Sequence, residues 1–324
     1  MFTLAFPGQG SQQPGMGRFL FDNFKIAQET FEEGSEALKQ DMKKLCFEGS
    51  EADLALTENT QPALLLVSTA TQKVLRQEFA VKVAAAAGHS IGEYAALVAA
   101  GVTRFDDSLR AVRTRGQAMQ SAVPVGQGGM VAVLGLEPEQ IETLCAYAVK
   151  NSGFAPLSAA NFNSPGQIVI SGSQKAINWL KDNFKPEVIF AEAPKRAKLI
   201  PLSVSAPFHC EMMKPAEDKM REVLTAMEFN TAAFPIIQNF HAKAETEGKV
   251  LRENLIRQVS APVRWTQSME VLKALGHANV IECGAGKVVQ GLLKKIDPDF
   301  FKVMTTTNME DIKTIEEFLK ASSH

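Results

Sequence analysis

The chain has few cysteines, almost no net charge and no long apolar run, and each of these features argues against a class of protein. Cys46, Cys145, Cys210 and Cys283 lie far apart without a C-x-x-C pair, which argues against a disulfide framework and a zinc knuckle and fits a reducing compartment. The 34 basic and 36 acidic side chains give a net charge of −2, so no basic field favours nucleic acid. No apolar stretch reaches the roughly 18 residues of a membrane helix, and the first residues lack the basic region of a signal peptide. Together these three features predict a soluble, cytoplasmic, globular protein.

Short apolar runs alternate with amphipathic segments along the chain, which indicates an α/β protein. Hydrophobic residues make up 45% of the 324 residues, enough to bury a sizeable core, and the length predicts one large domain or two unequal ones. Strands are predicted over residues 1–6 and 80–87, and helices over 19–46, 61–79 and 106–121. After residue 200, helices alternate with short strands again.

Residues 128–200 have a pattern of their own. The predicted elements follow the order βαββαβ, which is the ferredoxin-like pattern. The sequence therefore predicts a large α/β domain, residues 1–127 and 201–324, interrupted by a small ferredoxin-like domain over residues 128–200.

The segment Gly88-His89-Ser90-Ile91-Gly92 fits the pattern G-x-S-x-G between a predicted strand and a predicted helix. In that setting the pattern is typical of a nucleophile elbow, where the glycines permit a sharp turn and the serine begins a helix. Free N–H groups at the helix N-terminus can bind an oxyanion. A Gly-Ser turn with a capping serine is the alternative interpretation.

A nucleophilic serine needs a base, and His209 is the best placed of the five histidines. It follows a predicted strand and comes after Ser90 in the chain, the order found in α/β-hydrolases. His89 is adjacent to Ser90 and is expected to point elsewhere. No Asp or Glu is obviously placed to orient His209, so a backbone carbonyl or an amide side chain is expected there. A structural histidine remains the alternative.

Arg115 falls on the apolar face of the predicted helix 106–121, between Val112 and Met119. A guanidinium on such a face must find an anion, because burying it unpaired is costly. The two interpretations are an internal salt bridge and bidentate capture of a substrate carboxylate.

Six motifs in sequence order extend this pattern over residues 2–307: FPGQGSQQPGMG, GHSIGEYAALVAAG, the Arg-Gly pair at 115–116, NFNSPGQIVISG, SAPFH and GAGK. Together they resemble the malonyl-CoA:acyl carrier protein transacylases, the acyltransferases of type II fatty acid synthesis. The resemblance implies a hydrolase-like α/β domain with a parallel sheet core and an inserted ferredoxin-like domain.

The resemblance also implies catalytic roles for five residues. Ser90 would be the acylated nucleophile, and His209 would be the general base and acid. The main-chain carbonyl of Gln258 would orient the imidazole, so replacing Gln258 by alanine would cost little. The backbone N–H groups of Gln9 and Ile91 would form the oxyanion hole.

For substrate binding, the resemblance assigns the malonyl carboxylate to Arg115. Phe208, the aromatic residue before the histidine, could crowd an α-methyl branch. The other pocket residues that it implies are Met119, Asn161 and His89.

The expected reaction is ping-pong transfer of a malonyl group from malonyl-CoA to the phosphopantetheine thiol of a holo acyl carrier protein. No metal, no redox cofactor, no nucleic acid and no membrane partner are expected, and the chain is expected to be a monomer. The basic residues Lys195, Arg196 and Lys198 form either a solvated face or a docking site for the acidic carrier.

Three other functions remain open from the sequence. A polyketide acyltransferase acting in trans would share every motif. An esterase or acyl-carrier thioesterase would share Ser90 and His209, but it has no use for a cation such as Arg115. A non-catalytic carrier-binding module would leave Ser90 unlabelled by substrate.

Overall fold

The chain folds into alternating strands and helices, and the computed structural model describes residues 1–192, 194 and 196–321. The strands are β1 (Phe2–Phe6), β2 (Val83–Gly88), β3 (Gly128–Leu134), β4 (Leu157–Ser164), β5 (Gln167–Ser173), β6 (Lys198–Pro201), β7 (Ile236–Ile237), β8 (Ala244–Glu245), β9 (Asn279–Glu282) and β10 (Lys302–Met304). The helices are α1 (Arg18–Asn23), α2 (Lys25–Leu38), α3 (Met42–Glu48), α4 (Glu51–Ala55), α5 (Thr57–Gln77), α6 (Gly92–Ala99), α7 (Phe105–Ser121), α8 (Pro138–Ser152), α9 (Gln174–Asn183), α10 (Pro186–Ile189), α11 (Lys214–Thr225), α12 (Gly248–Arg257), α13 (Trp265–Ala274), α14 (Val288–Ile296) and α15 (Met309–Ala321). A 3₁₀ turn covers Glu211–Met213.

The larger sheet has, in the described part of the chain, six strands in the order β10-β9-β1-β2-β7-β8. Neighbouring strands are parallel except for the antiparallel edge pair β7–β8. β1 is buried along its whole length, as its nearly continuous apolar run predicts for a parallel strand covered on both faces. β2 is rich in alanine, so helices can approach the sheet closely: Ala86 contributes to the core on one face, and Ala85 and Ala87 to the core on the other.

Helices cover both faces of this sheet. Apolar side chains of α2, α5 and α7 fill the core on one face, and side chains of α13 and α14 fill the core on the other. The predicted α/β class with a parallel sheet core is therefore confirmed.

The smaller sheet is antiparallel, with the strand order β4-β5-β3-β6. The chain passes through β3, α8, β4, β5, α9 and β6, which is the predicted βαββαβ order with the short helix α10 added before β6. α8 and α9 cover one face around Ile170 and Leu144, and the other face turns Met130 and Val169 toward the larger core. The inserted ferredoxin-like pattern is confirmed.

The predicted helix over residues 19–46 is wrong in its continuity, because the chain forms α1, α2 and α3 there. Phe24 is extended at φ −132°, Lys39 is left-handed at φ 50°, and the Asp41 side chain caps α3. The predicted strand over residues 80–87 begins three residues late, because Ala80 has φ 52°.

Two predictions concern the surface and the membrane. In the basic cluster, Lys195 lies outside the described residues, whereas Arg196 and Lys198 are exposed, so a carrier-docking role stays a prediction. Among the described residues, no helix combines the length and the apolar character that crossing a bilayer requires.

Candidate active site

Ser90 sits in a sharp turn between the carboxyl end of β2 and the first turn of α6. Its φ of 51° lies in the left-handed region, which non-glycine residues seldom adopt. A Cβ atom at Gly88 would lie 2.0 Å from the carbonyl carbon of Gly92, and one at Gly92 would lie 2.3 Å from the carbonyl oxygen of Phe6. Both glycines of G-x-S-x-G are thus required by close backbone approach. The turn has the predicted strand–turn–helix setting of a nucleophile elbow.

The imidazole of His209 faces the serine hydroxyl. Ser90 Oγ lies 2.7 Å from His209 Nε2, and His209 Nδ1 lies 3.0 Å from the main-chain oxygen of Gln258. Because a carbonyl only accepts hydrogen bonds, Nδ1 carries the proton and Nε2 is left to accept from the hydroxyl. A backbone carbonyl therefore occupies the position that a carboxylate holds in a Ser-His-Asp triad.

Burial and the nearby positive charge of Arg115 lower the pKa of His209 to about 3. Both effects act against the imidazolium, one by removing water and the other by charge repulsion. The imidazole is therefore neutral at pH 7 and can accept a proton from Ser90.

We expect kcat/KM for the acyl transfer that the sequence motifs imply to hold constant from pH 8 down to about pH 5, well below the usual pKa of a histidine. The lowered pKa of His209 keeps its basic form until the solution is strongly acidic. Arg115→Met should move the acid limb to higher pH, because one cause of the lowering is gone. Initial rates with acetyl-CoA, which needs no cation, measure both profiles. Arg113→Met on the same helix is the control and should leave the limb in place; a wild-type limb near pH 6.5 would contradict the expectation.

The predicted oxyanion donors lie at the ends of two neighbouring parallel strands. Gln9 follows β1, Ile91 follows Ser90 after β2, and both residues line the same cavity as the serine. In residues 1–192, 194 and 196–321 neither backbone N–H donates to a protein acceptor. The Gln9 side chain is held in place, since its Oε1 accepts from the Thr57 hydroxyl at 3.1 Å. Both N–H groups can thus serve an oxyanion beside Ser90.

Arg115 is buried in α7 with 1% of its surface exposed, as its place on the apolar face predicts. Its Nη1 donates to Gln61 Oε1 at 2.9 Å, and its Nη2 donates to Gln258 Oε1 at 3.0 Å and to Ser90 Oγ at 3.2 Å. The guanidinium also lies 5.8 Å from the ring centre of Tyr94. Within the described residues it forms no ion pair, so the internal salt bridge is not formed. A buried cation held by neutral groups beside a nucleophile is suited to binding an anion.

One cavity between the two sheets brings together the predicted site residues other than Gln258. One wall carries Ser90 after β2 and Arg115 on α7, the segment after β6 brings in His209, and the smaller sheet supplies the opposite wall. The predicted residues that line it are Gln9, His89, Ser90, Ile91, Arg115, Met119, Asn161, Phe208 and His209. Gln258 is fully buried behind them.

A family model for the acyl transferase domain matches residues 3–297 of the chain. The chain belongs to the acyl transferase family. This acyl transferase is 41% identical to the malonyl CoA-acyl carrier protein transacylase of Haemophilus influenzae, over 98% of this chain and 99% of that protein. The resemblance found in the sequence is therefore confirmed.

Solved structures agree. The acyl transferase is similar to the acyl carrier protein S-malonyltransferase of Vibrio cholerae, with 42% identity and a TM-score of 0.89 over 97% of this chain and 99% of the other. It is also similar to a malonyl-transacylase solved with its holo type II polyketide synthase acyl carrier protein, with 39% identity and a TM-score of 0.89 over 98% and 99% of the chains.

His89 of the acyl transferase lines the cavity, with its ring in contact with Asn163 and Trp265. Its Nε2 lies 2.8 Å from Asn163 Oδ1, and its ring packs 5.5 Å from that of Trp265. Burial lowers the pKa of His89. The sequence-based expectation that this histidine points away from the Ser90 hydroxyl agrees with these contacts.

The side chain of Gln258 has a role that the sequence analysis missed. Its Oε1 accepts from Arg115, and its Nε2 donates to the main-chain oxygen of Ser90 at 3.1 Å. The same residue thus holds His209 with its backbone and Arg115 with its amide. The expectation that alanine costs little accounts only for the first contact.

We therefore expect Gln258→Ala to lower kcat/KM for malonyl-CoA by roughly 10- to 100-fold, the range of one hydrogen bond to a charged group. The loss for acetyl-CoA should stay within about 3-fold, because the carbonyl that holds His209 survives the change. Steady-state kinetics with both thioesters measure the two losses. Gln72→Ala removes a buried glutamine of α5 that does not line the cavity and is the control. Equal losses for both thioesters would assign the Gln258 side chain to the fold alone.

Several residues of the acyl transferase site escaped the sequence analysis. Asn239 clamps the elbow, since its Oδ1 accepts from Ser90 N–H at 2.7 Å and its Nδ2 donates to the Gly88 carbonyl at 2.7 Å. Its signal is the polar pair Gln238-Asn239, which directly follows the two apolar residues of β7. The other missed residues line the cavity: Gln61, Met130, Asn163, Val169, Leu202 and Val204.

The four cysteines are unpaired and buried, and burial raises the pKa of Cys46 and of Cys145 to about 12. In the part of the chain that the structure describes, no three His, Cys, Asp or Glu side chains gather as a metal site would require.

Proposed function

We propose that this acyl transferase moves a malonyl group from malonyl-CoA to the phosphopantetheine thiol of an acyl carrier protein through a malonyl-serine intermediate. The observation that carries the proposal is the buried guanidinium of Arg115, unpaired by any described carboxylate and 3.2 Å from Ser90 Oγ. An acyl group that ends in a carboxylate fits this pair of groups, because its thioester can meet the hydroxyl while its carboxylate meets the cation.

In the first half-reaction, His209 Nε2 takes the proton from Ser90 Oγ as the oxygen attacks the thioester carbonyl carbon. The N–H groups of Gln9 and Ile91 hold the oxygen that becomes negative. When the tetrahedral intermediate collapses, the carbon–sulfur bond breaks and the proton on His209 passes to the leaving CoA thiol. The product is a malonyl ester on Ser90.

In the second half-reaction, the carrier thiol enters the same cleft after CoA has left. His209 takes the thiol proton as the sulfur attacks the ester carbonyl, and returns it to Ser90 Oγ when the ester bond breaks. Arg115 holds the malonyl carboxylate through both steps. The proposed chemistry uses groups of the chain and its two substrates, so we propose no metal or redox cofactor.

The remaining wall residues would set the size of the acyl group. Phe208 and Met119 are apolar and buried, and Asn161 of β4 lines the same cavity. We propose that Phe208 crowds an α-methyl branch and thereby favours malonyl over substituted malonyl groups.

Two carriers are candidates for the acceptor. We propose the carrier of fatty acid synthesis, as the sequence motifs imply. A polyketide carrier is the second candidate, and it is supported by the 39% identity to a malonyl-transacylase that was solved with such a carrier.

We also propose the domain boundaries that the sequence predicts, with residues 128–200 inserted between residues 1–127 and 201–324. The separate apolar core around α8 and α9 supports this division. β6 ends at Pro201, one residue past the proposed boundary.

The unpaired state of all four cysteines supports the proposed cytoplasmic location. The monomeric state and the lack of a nucleic-acid partner stay predictions.

Intact-mass measurement tests the proposal. After mixing with malonyl-CoA, the protein should gain one malonyl group, and a holo carrier of either type should remove it and gain the same mass. Loss of the adduct to water at the rate of loss to the carrier would instead indicate a thioesterase or esterase.

A further inference from the structure

A buried carboxylate lies directly behind the elbow. Glu93 is in the first turn of α6 and has no exposed surface. Its Oε1 accepts from Gln238 Nε2 at 2.8 Å, and its Oε2 accepts from the Asn239 backbone N–H at 2.9 Å and from Gln258 Nε2 at 3.0 Å. None of these partners is charged.

The donors around Glu93 favour its ionised form. Gln238 Nε2 also donates to the Leu251 carbonyl at 3.0 Å, and Gln258 Nε2 also donates to the Ser90 carbonyl at 3.1 Å. Neither amide can turn its oxygen toward Glu93 without losing that second bond, and a backbone N–H accepts nothing. A protonated carboxyl would have no acceptor for its own O–H among these three groups, whereas a carboxylate satisfies all three.

One neutral amide separates this carboxylate from the cation of the active site. Arg115 Nη2 donates to Gln258 Oε1 at 3.0 Å, and Gln258 Nε2 donates to Glu93 Oε2 at 3.0 Å. Burial raises the pKa of Glu93, while the three N–H donors and, as a smaller effect, the positive charge of Arg115 act to lower it. Burial lowers the pKa of Arg115, while Tyr94 and Glu93 act to raise it. The two charges therefore stabilise each other across the amide.

The spacing matters for the proposed reaction. A carboxylate in direct contact would neutralise the guanidinium and compete with the substrate for its donors. A guanidinium with no counter-charge would be costly to bury in the empty enzyme. A carboxylate one amide away lowers that cost and leaves the cation open to an anion in the cavity.

We propose that Glu93 is the buried counter-charge of Arg115, a positioning residue that acts through the amide of Gln258 and leaves the guanidinium free for the acyl carboxylate. The inference rests on the proposed malonyl transfer only for the identity of that carboxylate. The coupling between Glu93 and Arg115 belongs to the protein alone and is measurable without substrate.

A double-mutant cycle on thermal stability tests the coupling. Glu93→Gln and Arg115→Met each leave one buried charge alone, and the double variant removes both. We expect the Tm of the double variant to lie at least about 4 °C above the value obtained by adding the two single shifts. The cost of placing an amide among three N–H donors is common to both Glu93→Gln proteins and cancels in the cycle.

Glu282 supplies the matched control. It is equally buried and accepts the backbone N–H groups of Val289 and Gln290 at 2.9 and 2.8 Å at the start of α14. The cycle of Glu282→Gln with Arg115→Met should be additive. An additive Glu93–Arg115 cycle overturns the proposal. Where Glu93→Gln alone does not fold, a folded double variant supports the proposal and an unfolded one overturns it.

Free malonate is the probe for the second measurement. It should raise the Tm of wild-type protein through Arg115, raise that of Glu93→Gln by more, and leave Arg115→Met unchanged, with acetate as the control anion. Where malonate stabilises the wild type, an equal or smaller shift in Glu93→Gln overturns the proposal. Where malonate has no effect on the wild type but the cycle is non-additive, the counter-charge stands and the proposed malonyl specificity fails.

Discussion

In the Ser90→Ala variant we expect malonyl transfer to fall by roughly 10³-fold or more and the covalent malonyl adduct to disappear. Ser90 Oγ is the hydroxyl that contacts both His209 Nε2, at 2.7 Å, and the Arg115 guanidinium, at 3.2 Å. Removing it takes away the proposed attacking atom, which lies within reach of both the imidazole and the guanidinium. The adduct is measured by intact mass after mixing with malonyl-CoA, and transfer by the steady-state rate with a holo carrier.

His209→Ala should cost about as much as Ser90→Ala, because nucleophile and base act as a unit. Ser121→Ala, at the exposed end of α7, is the matched control and should keep both the adduct and the rate. An adduct that persists in Ser90→Ala would place the nucleophile elsewhere and refute the assignment.

Arg115→Ala should lower kcat/KM for malonyl-CoA by roughly 30- to 5,000-fold. A bidentate charge-assisted pair in a buried site contributes on the order of 2–5 kcal/mol, at about 1.4 kcal/mol per tenfold change. Acetyl-CoA has no carboxylate to lose, so its kcat/KM should hold steady or rise. The measurement is kcat/KM for both thioesters in the wild type and the variant.

Two further variants sharpen this expectation. Arg115→Lys should restore only part of the malonyl activity, because a point charge cannot reproduce the planar fork of a guanidinium. Arg113→Ala removes an arginine two positions earlier on α7 and should leave the malonyl-to-acetyl ratio unchanged. If Arg115→Ala lowers kcat/KM for both thioesters by the same factor, Arg115 stabilises the fold and does not select the acyl group.

Local pattern was enough to predict most of the fold. The nearly all-apolar β1, the alanine run of β2 and the βαββαβ order of residues 128–200 can each be recognised within a short stretch of sequence. The break between α1 and α2 could not be predicted in this way. Phe24 is extended there and packs edge-to-face on Phe79 at 5.9 Å, a partner far away in sequence. The spacing of apolar residues along a helix carries no information about such a long-range contact.

The residues of the site differ in the same way: some can be recognised from the local sequence and others cannot. Ser90, His209 and Arg115 carry signals of their own: a glycine-framed turn, an order in the chain and a charge on an apolar face. Every residue has a main-chain carbonyl, so the sequence pattern does not single out the one at Gln258. Only the resemblance to the family implied its role. Glu93 lies on a helix beside the elbow, and its partners come from segments more than a hundred residues later. Folding alone brings them together.

The central place of β1 in the larger sheet determines when a ribosome-bound chain can become reactive. β1 pairs with β2 on one side and with β9 on the other, where Thr3 lies opposite Val280. The smaller sheet pairs strands within residues 128–201 and can assemble much earlier in synthesis. The serine emerges long before the carbonyl that orients its base, and longer still before β9 closes the sheet around β1. A nascent chain therefore carries the proposed nucleophile through much of translation without the neighbours that are proposed to activate it.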